Sequence, residues 1–375
     1  MVNNNRLIEE FLELVQIDSE TGYERKIADH LTERLTLLGL EVMEDNSMEQ
    51  TGHTAGNLLA VLKGNPALPV IYFTVHMDTV VPGKGVKPVR ENGLIRSDGT
   101  TVLGADDKAG LAALLEMILV LKEEKVDHGS IQLVITVGEE SGLVGSRSLH
   151  RASLIADFGY ALDSDGDVGT IITAAPFQAK IHAIMKGKKA HAGVAPEKGV
   201  SAITMAGVAI ADMKLGRIDE ETTANIGWIK GGTQTNIVCD HVEMFMEARS
   251  LVKDKLEKQL EDMTRALQQA AENMGGEAVL ETQHIYPGFK HDDDDQVITL
   301  AKRAAGEIGI VPNTRHSGGG SDANIIAGLG IPTANLGVGY QDIHTTSESI
   351  SEKQLIHAAE LVVEIVKEAV QEGKR

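Results

Sequence analysis

Two histidines and three acids set the chemistry open to this chain of 375 residues. His76, Asp106, Glu140, Asp163 and His344 are all side-chain types that hold divalent metal ions. A hydrolase that uses two ions needs one carboxylate to bridge them, roughly 3.5–4 Å apart, and further His or carboxylate ligands to complete each. It also needs a separate base for the proton of the attacking water. With Asp106 as the bridge, each ion receives one His, one carboxylate of its own, the bridge and a water. That stoichiometry suits Zn2+, two per subunit, and Co2+ or Mn2+ could substitute.

The neighbours of these residues carry the rest of the reading. His76 stands in His76-Met77-Asp78. Residues i and i+2 of an extended segment share a side, so Asp78 can accept from the second imidazole nitrogen and fix the tautomer. Asp106 lies in Gly104-Ala105-Asp106-Asp107-Lys108. A helix start asks for one capping acid; of these two, Asp107 is read as the support of the turn and Asp106 as the ligand. Glu139 and Glu140 leave a strand side by side and point different ways. Glu140 is read as a ligand and Glu139 as the general base, its pKa raised by burial toward that of a metal-activated water. Asp163-Ser-Asp-Gly-Asp167 begins like a calcium loop but has Ala174 at the twelfth position, where that loop needs an acid. The run His291-Asp-Asp-Asp-Asp295 is read as a helix start, where acids favour the macrodipole.

These residues sit where apolar runs stop. Residues 69–75 are almost wholly apolar, as suits a strand buried on both faces, and lead into His76. Residues 131–137 lead to Gly138-Glu139-Glu140, and 160–162 to Asp163. Ligands of open α/β sheets bind beyond the carboxyl ends of strands, so three strand ends are expected to meet at one edge. Helices are expected at 24–38 and from Gly104 to Lys122, and a strand at 57–62. The pattern changes near residue 175: strand 177–185, helix 200–213, strands 236–238 and 242–248, helix 253–274, strand 278–285. The order β-α-β-β-α-β is that of a ferredoxin-like sandwich. The expected architecture is α/β, a catalytic domain with a mixed sheet flanked by helices over 1–175 and 289–375. It is interrupted at 176–288 by an inserted ferredoxin-like α+β domain. Helices at 296–308, 322–328 and 351–370 belong to the returning segment.

Composition narrows the partners. A chain 42% hydrophobic and 24% charged is globular. A net charge of −20 without a long Lys/Arg cluster speaks against nucleic acid and anionic membranes. The longest apolar stretch, 111–121, falls short of the ~20 residues that span a bilayer, and Glu9, Glu10 and Glu13 break the pattern of a signal peptide. The single cysteine, Cys239, leaves no internal disulfide and no Cys-type zinc site. A cytoplasmic protein is expected.

Taken as a set, Val75-His-Met-Asp-Thr-Val80, Gly104-Ala-Asp-Asp-Lys108, Gly138-Glu-Glu140 and Ile343-His344 resemble the co-catalytic zinc exopeptidase family of peptidase T, aminoacylase and desuccinylase type. Asp98-Gly-Thr-Thr-Val-Leu-Gly-Ala-Asp-Asp-Lys108 and Ile343-His-Thr-Thr-Ser-Glu348 are most similar to the peptidase T branch. The resemblance implies a tripeptide aminopeptidase acting on small peptides, with the inserted domain as lid and homodimer interface. It further implies that His191, in Lys189-Ala-His191-Ala-Gly193, stabilises the tetrahedral oxyanion, often across a dimer. Asn236 and Arg249 match substrate-binding positions, and Gly319 and Gly320, in Gly318-Gly-Gly-Ser321-Asp322, match a glycine loop that lets backbone approach substrate. The same site could instead serve an N-acyl amino acid deacylase or a di- or carboxypeptidase. A non-catalytic metal-binding scaffold would require a broken site, whereas every ligand and the base are present.

Overall fold

The computed structural model describes residues 1–372. They fall into two compact units. One comprises Met1–Ala174, Lys290–Ser317 and the segment from Ser321 onward; the other comprises Ala175–Phe289 with Gly318–Gly320.

The first unit opens with α1 (Asn4–Val15), α2 (Arg25–Leu37), β1 (Glu41–Glu44), β2 (Leu58–Leu62), β3 (Ile71–His76), α3 (Ala105–Glu124), β4 (Ile131–Thr136), β5 (Phe158–Ser164) and β6 (Thr170–Ala175). The second unit supplies β7 (Phe177–Lys186), α4 (Ala202–Asp212), β8 (Thr222–Gly231), β9 (His241–Ser250), α5 (Lys253–Met274) and β10 (Glu277–Tyr286). The chain then adds α6 (Gln296–Glu307), β11 (Asn313–His316), α7 (Asp322–Gly328), β12 (Thr333–Gly337) and α8 (Glu352–Glu372) to the first unit.

The sheet of the first unit runs β1-β2-β4-β3-β5-β12-β6, with β11 beside β6. Strands β4, β3, β5 and β12 are mutually parallel, while β1 and β2 are antiparallel additions. Parallel strands need cover on both faces, and every residue of β3 and β4 is buried. That is why their sequences are continuous apolar runs. Their carboxyl ends share one edge, where His76, Gly138 and Asp163 leave the sheet. Helix α3 crosses from β3 to β4 and is buried along most of its length.

In the second unit the sheet order is β8-β9-β7-β10, all antiparallel. Ile181, Met185, Met244 and Met246 form a core with Leu256, Leu260, Met263 and Leu267 of α5. The element order is β-α-β-β-α-β, but residues 236–238 are not a strand; the third element is β8. Its period is broken by a register shift between Ile226 and Trp228, which flips the outward side and hides the alternation. Among the described residues no helix is long and apolar enough to cross a membrane.

One ion pair ties α1 to the core. Glu116 of α3 is 2% exposed and accepts from Arg6 Nε at 2.7 Å, Arg6 Nη2 at 2.8 Å and the Asn3 amide at 2.7 Å. Removing the arginine leaves a buried charge short of partners. Arg6→Ala is therefore expected to destabilise the protein by about 2–3 kcal/mol, read by urea denaturation. Adding Glu116→Leu should recover much of the loss; a single variant as stable as the parent would show the pair to be dispensable.

Candidate metal centre

The turn before α3 decides what Asp106 can do. Gly104 adopts φ +79, a left-handed conformation that glycine reaches without strain. Asp106 (φ −82, ψ 100) and Asp107 (φ −121, ψ 33) are both non-helical, so the regular helix starts after them. Asp107 is the capping acid: its Oδ1 accepts from the Gly110 amide at 3.2 Å, and its Oδ2 from the His76 amide at 3.4 Å. Buried Glu348 holds the same turn, accepting from the Gly104 amide at 2.8 Å and the Asp106 amide at 3.0 Å. The Asp106 carboxylate is left free of backbone duties.

That carboxylate faces two ways. Oδ1 is 2.9 Å from His76 Nε2, and Oδ2 is 3.3 Å from His344 Nε2. On the His76 side Asp163 Oδ1 lies 3.8 Å from the same nitrogen; on the His344 side Glu140 Oε1 lies at 3.0 Å. Two donor triads therefore share Asp106. Atoms around one tetrahedral ion, at about 2.0–2.2 Å from it, are roughly 3.3–3.6 Å apart, and the observed spacings straddle that range. Glu140 Oε1 is buried with no hydrogen-bond partner despite the nearby imidazole. Such an acceptor suits a cation, and the donor set fits two divalent ions. Glu139 also brings an oxygen within 4.8 Å of the ligand atoms of His76 and Asp163, so distance alone admits it as ligand or as base.

The supports differ in part from expectation. Asp78 orients His76 chiefly through its backbone: His76 Nδ1 is 3.0 Å from the Asp78 carbonyl oxygen and 3.5 Å from its carboxylate. The carboxylate instead accepts from the amides of Glu139 at 3.1 Å and Glu140 at 3.3 Å. Loop amides just past a strand end lack ladder partners, and Asp78 supplies them. Asp163 is held by Asn335, whose Oδ1 accepts from its amide at 3.0 Å and whose Nδ2 donates to its carbonyl at 2.6 Å; Tyr340 donates to its Oδ1 at 3.3 Å. Sequence reasoning missed Asn335, Tyr340 and Glu348. Only Glu348 had a signal, as the acid four residues beyond His344.

The charges fit a cation site. Burial pushes Glu139 and Asp163 well above the usual carboxylate range, with Asp163 adding to the effect at Glu139 and Asp106 at Asp163. Burial pushes Asp106 the same way, but His344 and His76 outweigh it and hold this carboxyl below its ordinary value. Asp106 and Glu140 raise His344 to about 10. Burial disfavours the charged form of His76, yet Asp106 and Asp78 keep its pKa well above normal. Two divalent ions would supply the same positive charge and release those protons.

The remaining candidates belong to the second unit. His191 is exposed, and its Nδ1 accepts from the Gly193 amide at 3.1 Å, which leaves the ring proton of the neutral form on Nε2. Asn236 is exposed and accepts from the Ala192 amide through its carbonyl at 2.9 Å. Arg249 is half-buried beside Glu247 and Gly318. Gly319 and Gly320 are half-buried, and a side chain on Gly320 would strike the Tyr286 ring at 2.4 Å.

A family model described as Peptidase family M20/M25/M40 matches residues 72–368. The crystal structure of aminopeptidase PepT from Bacillus cereus is similar at 60% identity and TM-score 0.95, covering 98% of this chain and 99% of that one. A tripeptidase structure from Staphylococcus aureus is similar at 49% identity and TM-score 0.96, over 99% and 100%. Peptidase T of Lysinibacillus sphaericus is 27% identical over 414 residues, 98% of this chain and 99% of that protein.

Glu348 provides a test of the turn. Glu348→Ala is expected to weaken metal binding about 10- to 100-fold, measured by competition with a chromophoric chelator. Unchanged affinity would mean that Asp106 is positioned without it.

Proposed function

Because the chain belongs to peptidase family M20/M25/M40, we propose that it is a two-metal exopeptidase that releases the N-terminal residue from tripeptides. The observation that carries this reading is Asp106, which presents one carboxylate oxygen to each of two histidines. The choice of tripeptides is supported by the relatives named aminopeptidase PepT and tripeptidase, at 60% and 49% identity.

In this proposal His76, Asp106 and Asp163 would hold one ion, and Asp106, Glu140 and His344 the other. The donor set favours Zn2+, with Co2+ or Mn2+ as substitutes. Two ions here would lower the pKa of a water and polarise the scissile carbonyl. Glu139 takes the proton of the attacking water as the water oxygen adds to the carbonyl carbon. It returns the proton to the departing nitrogen when the C–N bond breaks, giving an amino acid and a dipeptide. Its place beside the His76 and Asp163 ligand atoms supports this exchange. Asp78 keeps both loop amides and His76 in place. His191 offers its Nε2 proton to the oxyanion. Asn236, Gly319 and Gly320 bind the peptide, and Arg249 takes its terminal carboxylate. The support for these last roles is the residue types and the motifs that carry them.

We also place the protein in the cytoplasm as a homodimer paired through the second unit. One cysteine fits a reducing compartment. Helix α4 leaves Ile203 and Val208 about half exposed, an apolar face that a partner copy would cover. Sedimentation at the monomer mass would remove the dimer.

The holoenzyme is expected to release the N-terminal residue first from tripeptides and to leave N-acyl amino acids intact; the reverse preference would overturn the substrate reading. Glu139→Ala should lower kcat by about 10²- to 10⁴-fold while elemental analysis still finds two ions. Loss of an ion together with activity would make Glu139 a ligand, and near-normal turnover would exclude it as the base.

A further inference from the structure

Arg249 is already engaged in the way that a peptide carboxylate would engage it. Its Nε is 3.0 Å from Glu247 Oε1 and its Nη2 is 3.3 Å from Glu247 Oε2, a two-pronged contact. Nη1 faces the Gly318 carbonyl at 3.4 Å. A second carboxylate cannot use the same two prongs, and one placed alongside would meet the Glu247 charge.

We propose that Glu247 is an internal stand-in for the terminal carboxylate of the substrate: it occupies the Arg249 fork and yields it to the peptide by moving toward Lys180. This rests on the reading of Arg249 as the carboxylate-binding residue. Three observations carry it. First, the pair is weakly bound. The two side chains are half-buried, 29% and 32% exposed, so solvent still reaches the pair, and solvent-screened pairs are worth a factor of about five or less in an equilibrium constant. Opening it is cheap. Second, the displaced acid has a partner waiting. Lys180 stands directly opposite Glu247 on β7, where same-face neighbours have Cβ atoms about 4.5–5.5 Å apart. Among the described residues Lys180 makes no ion pair. Third, there is room. A depression of about 310 Å³ is lined by Lys180, Asn225, Gly227, Phe245, Met246 and Glu247. In the resting position Gln178 Nε2 donates to Glu247 Oε2 at 2.7 Å and steadies it.

The consequence is selectivity. An unguarded arginine attracts any anion, whereas a guarded one opens only for a ligand that matches both prongs. A peptide with a neutral C-terminus gains nothing by displacing Glu247.

Steady-state kinetics of the zinc-loaded enzyme on trialanine and trialanine amide test this. Glu247→Gln should lower the KM for trialanine about threefold to fivefold, with the change in KM and no shift for the amide. An unchanged or higher KM for trialanine, or an equal shift for both peptides, overturns the proposal. Lys180→Met should raise the trialanine KM by a similar factor, and no change there overturns the transfer to the lysine. Arg249→Met separates the two readings. If it fails to raise the trialanine KM selectively, Arg249 does not read the carboxylate and both fall. If it does so while Glu247→Gln has no effect, the stand-in alone fails.

Discussion

Asp106 meets an imidazole with each of its oxygens, 2.9 Å to His76 and 3.3 Å to His344, and a carboxylate held in that orientation is not turned back to cap its own helix. The local fold follows from that constraint. A helix start demands a capping acid, so the chain carries a second one, and Asp107 caps Gly110. The amides of the turn demand acceptors, and Glu348 reaches in from 242 residues away to supply the one at Asp106. Had Asp106 capped its own helix, one oxygen would have turned inward and the two donor triads would have lost their common member.

The cost of such a centre is like charge. Two carboxylates about 4 Å apart repel by roughly 4 kcal/mol at an effective dielectric near 20, and the cluster contains four, with Asp78, Asp107 and Glu348 close behind. The structure divides these acids into two tiers. Asp78, Asp107 and Glu348 are satisfied by pairs of backbone amides, at Glu139 and Glu140, at His76 and Gly110, and at Gly104 and Asp106. Asp106 and Glu140 face imidazoles and would face cations. The parallel sheet makes the division workable. Strands β3, β4 and β5 finish at one edge, so unpaired amides and ligand side chains emerge together.

Much of this was legible in the sequence where the signal is local. Continuous apolar runs mark β3 and β4 because a doubly covered parallel strand has no polar face, and the metal-type residues stand at their ends. Helix α5 is read at its true bounds, residues 253–274, because Leu256, Leu260, Met263 and Leu267 keep the helical period. Strand β8 is hidden because the register shift at Gly227 destroys the alternation that would reveal it. Asn335 and Tyr340 are hidden for another reason. Their contacts with Asp163 span 172 and 177 residues, and a lone Asn or Tyr in an apolar stretch carries no mark of its distant partner.

The neighbouring pair Glu139 and Glu140 shows what lies between these extremes. Residue type and adjacency identify the pair, since consecutive side chains leaving a strand diverge. What adjacency cannot convey is that both backbone amides are clasped by the two oxygens of one carboxylate, Asp78, which also sets His76 through its carbonyl. A proton-transfer group must keep its distance to the reacting water, and that distance is set by the ligands around the ions. By tying the amides of Glu139 and Glu140 and the imidazole of His76 to a single residue, the fold couples three members of the cluster, so a shift of Asp78 bears on all three together.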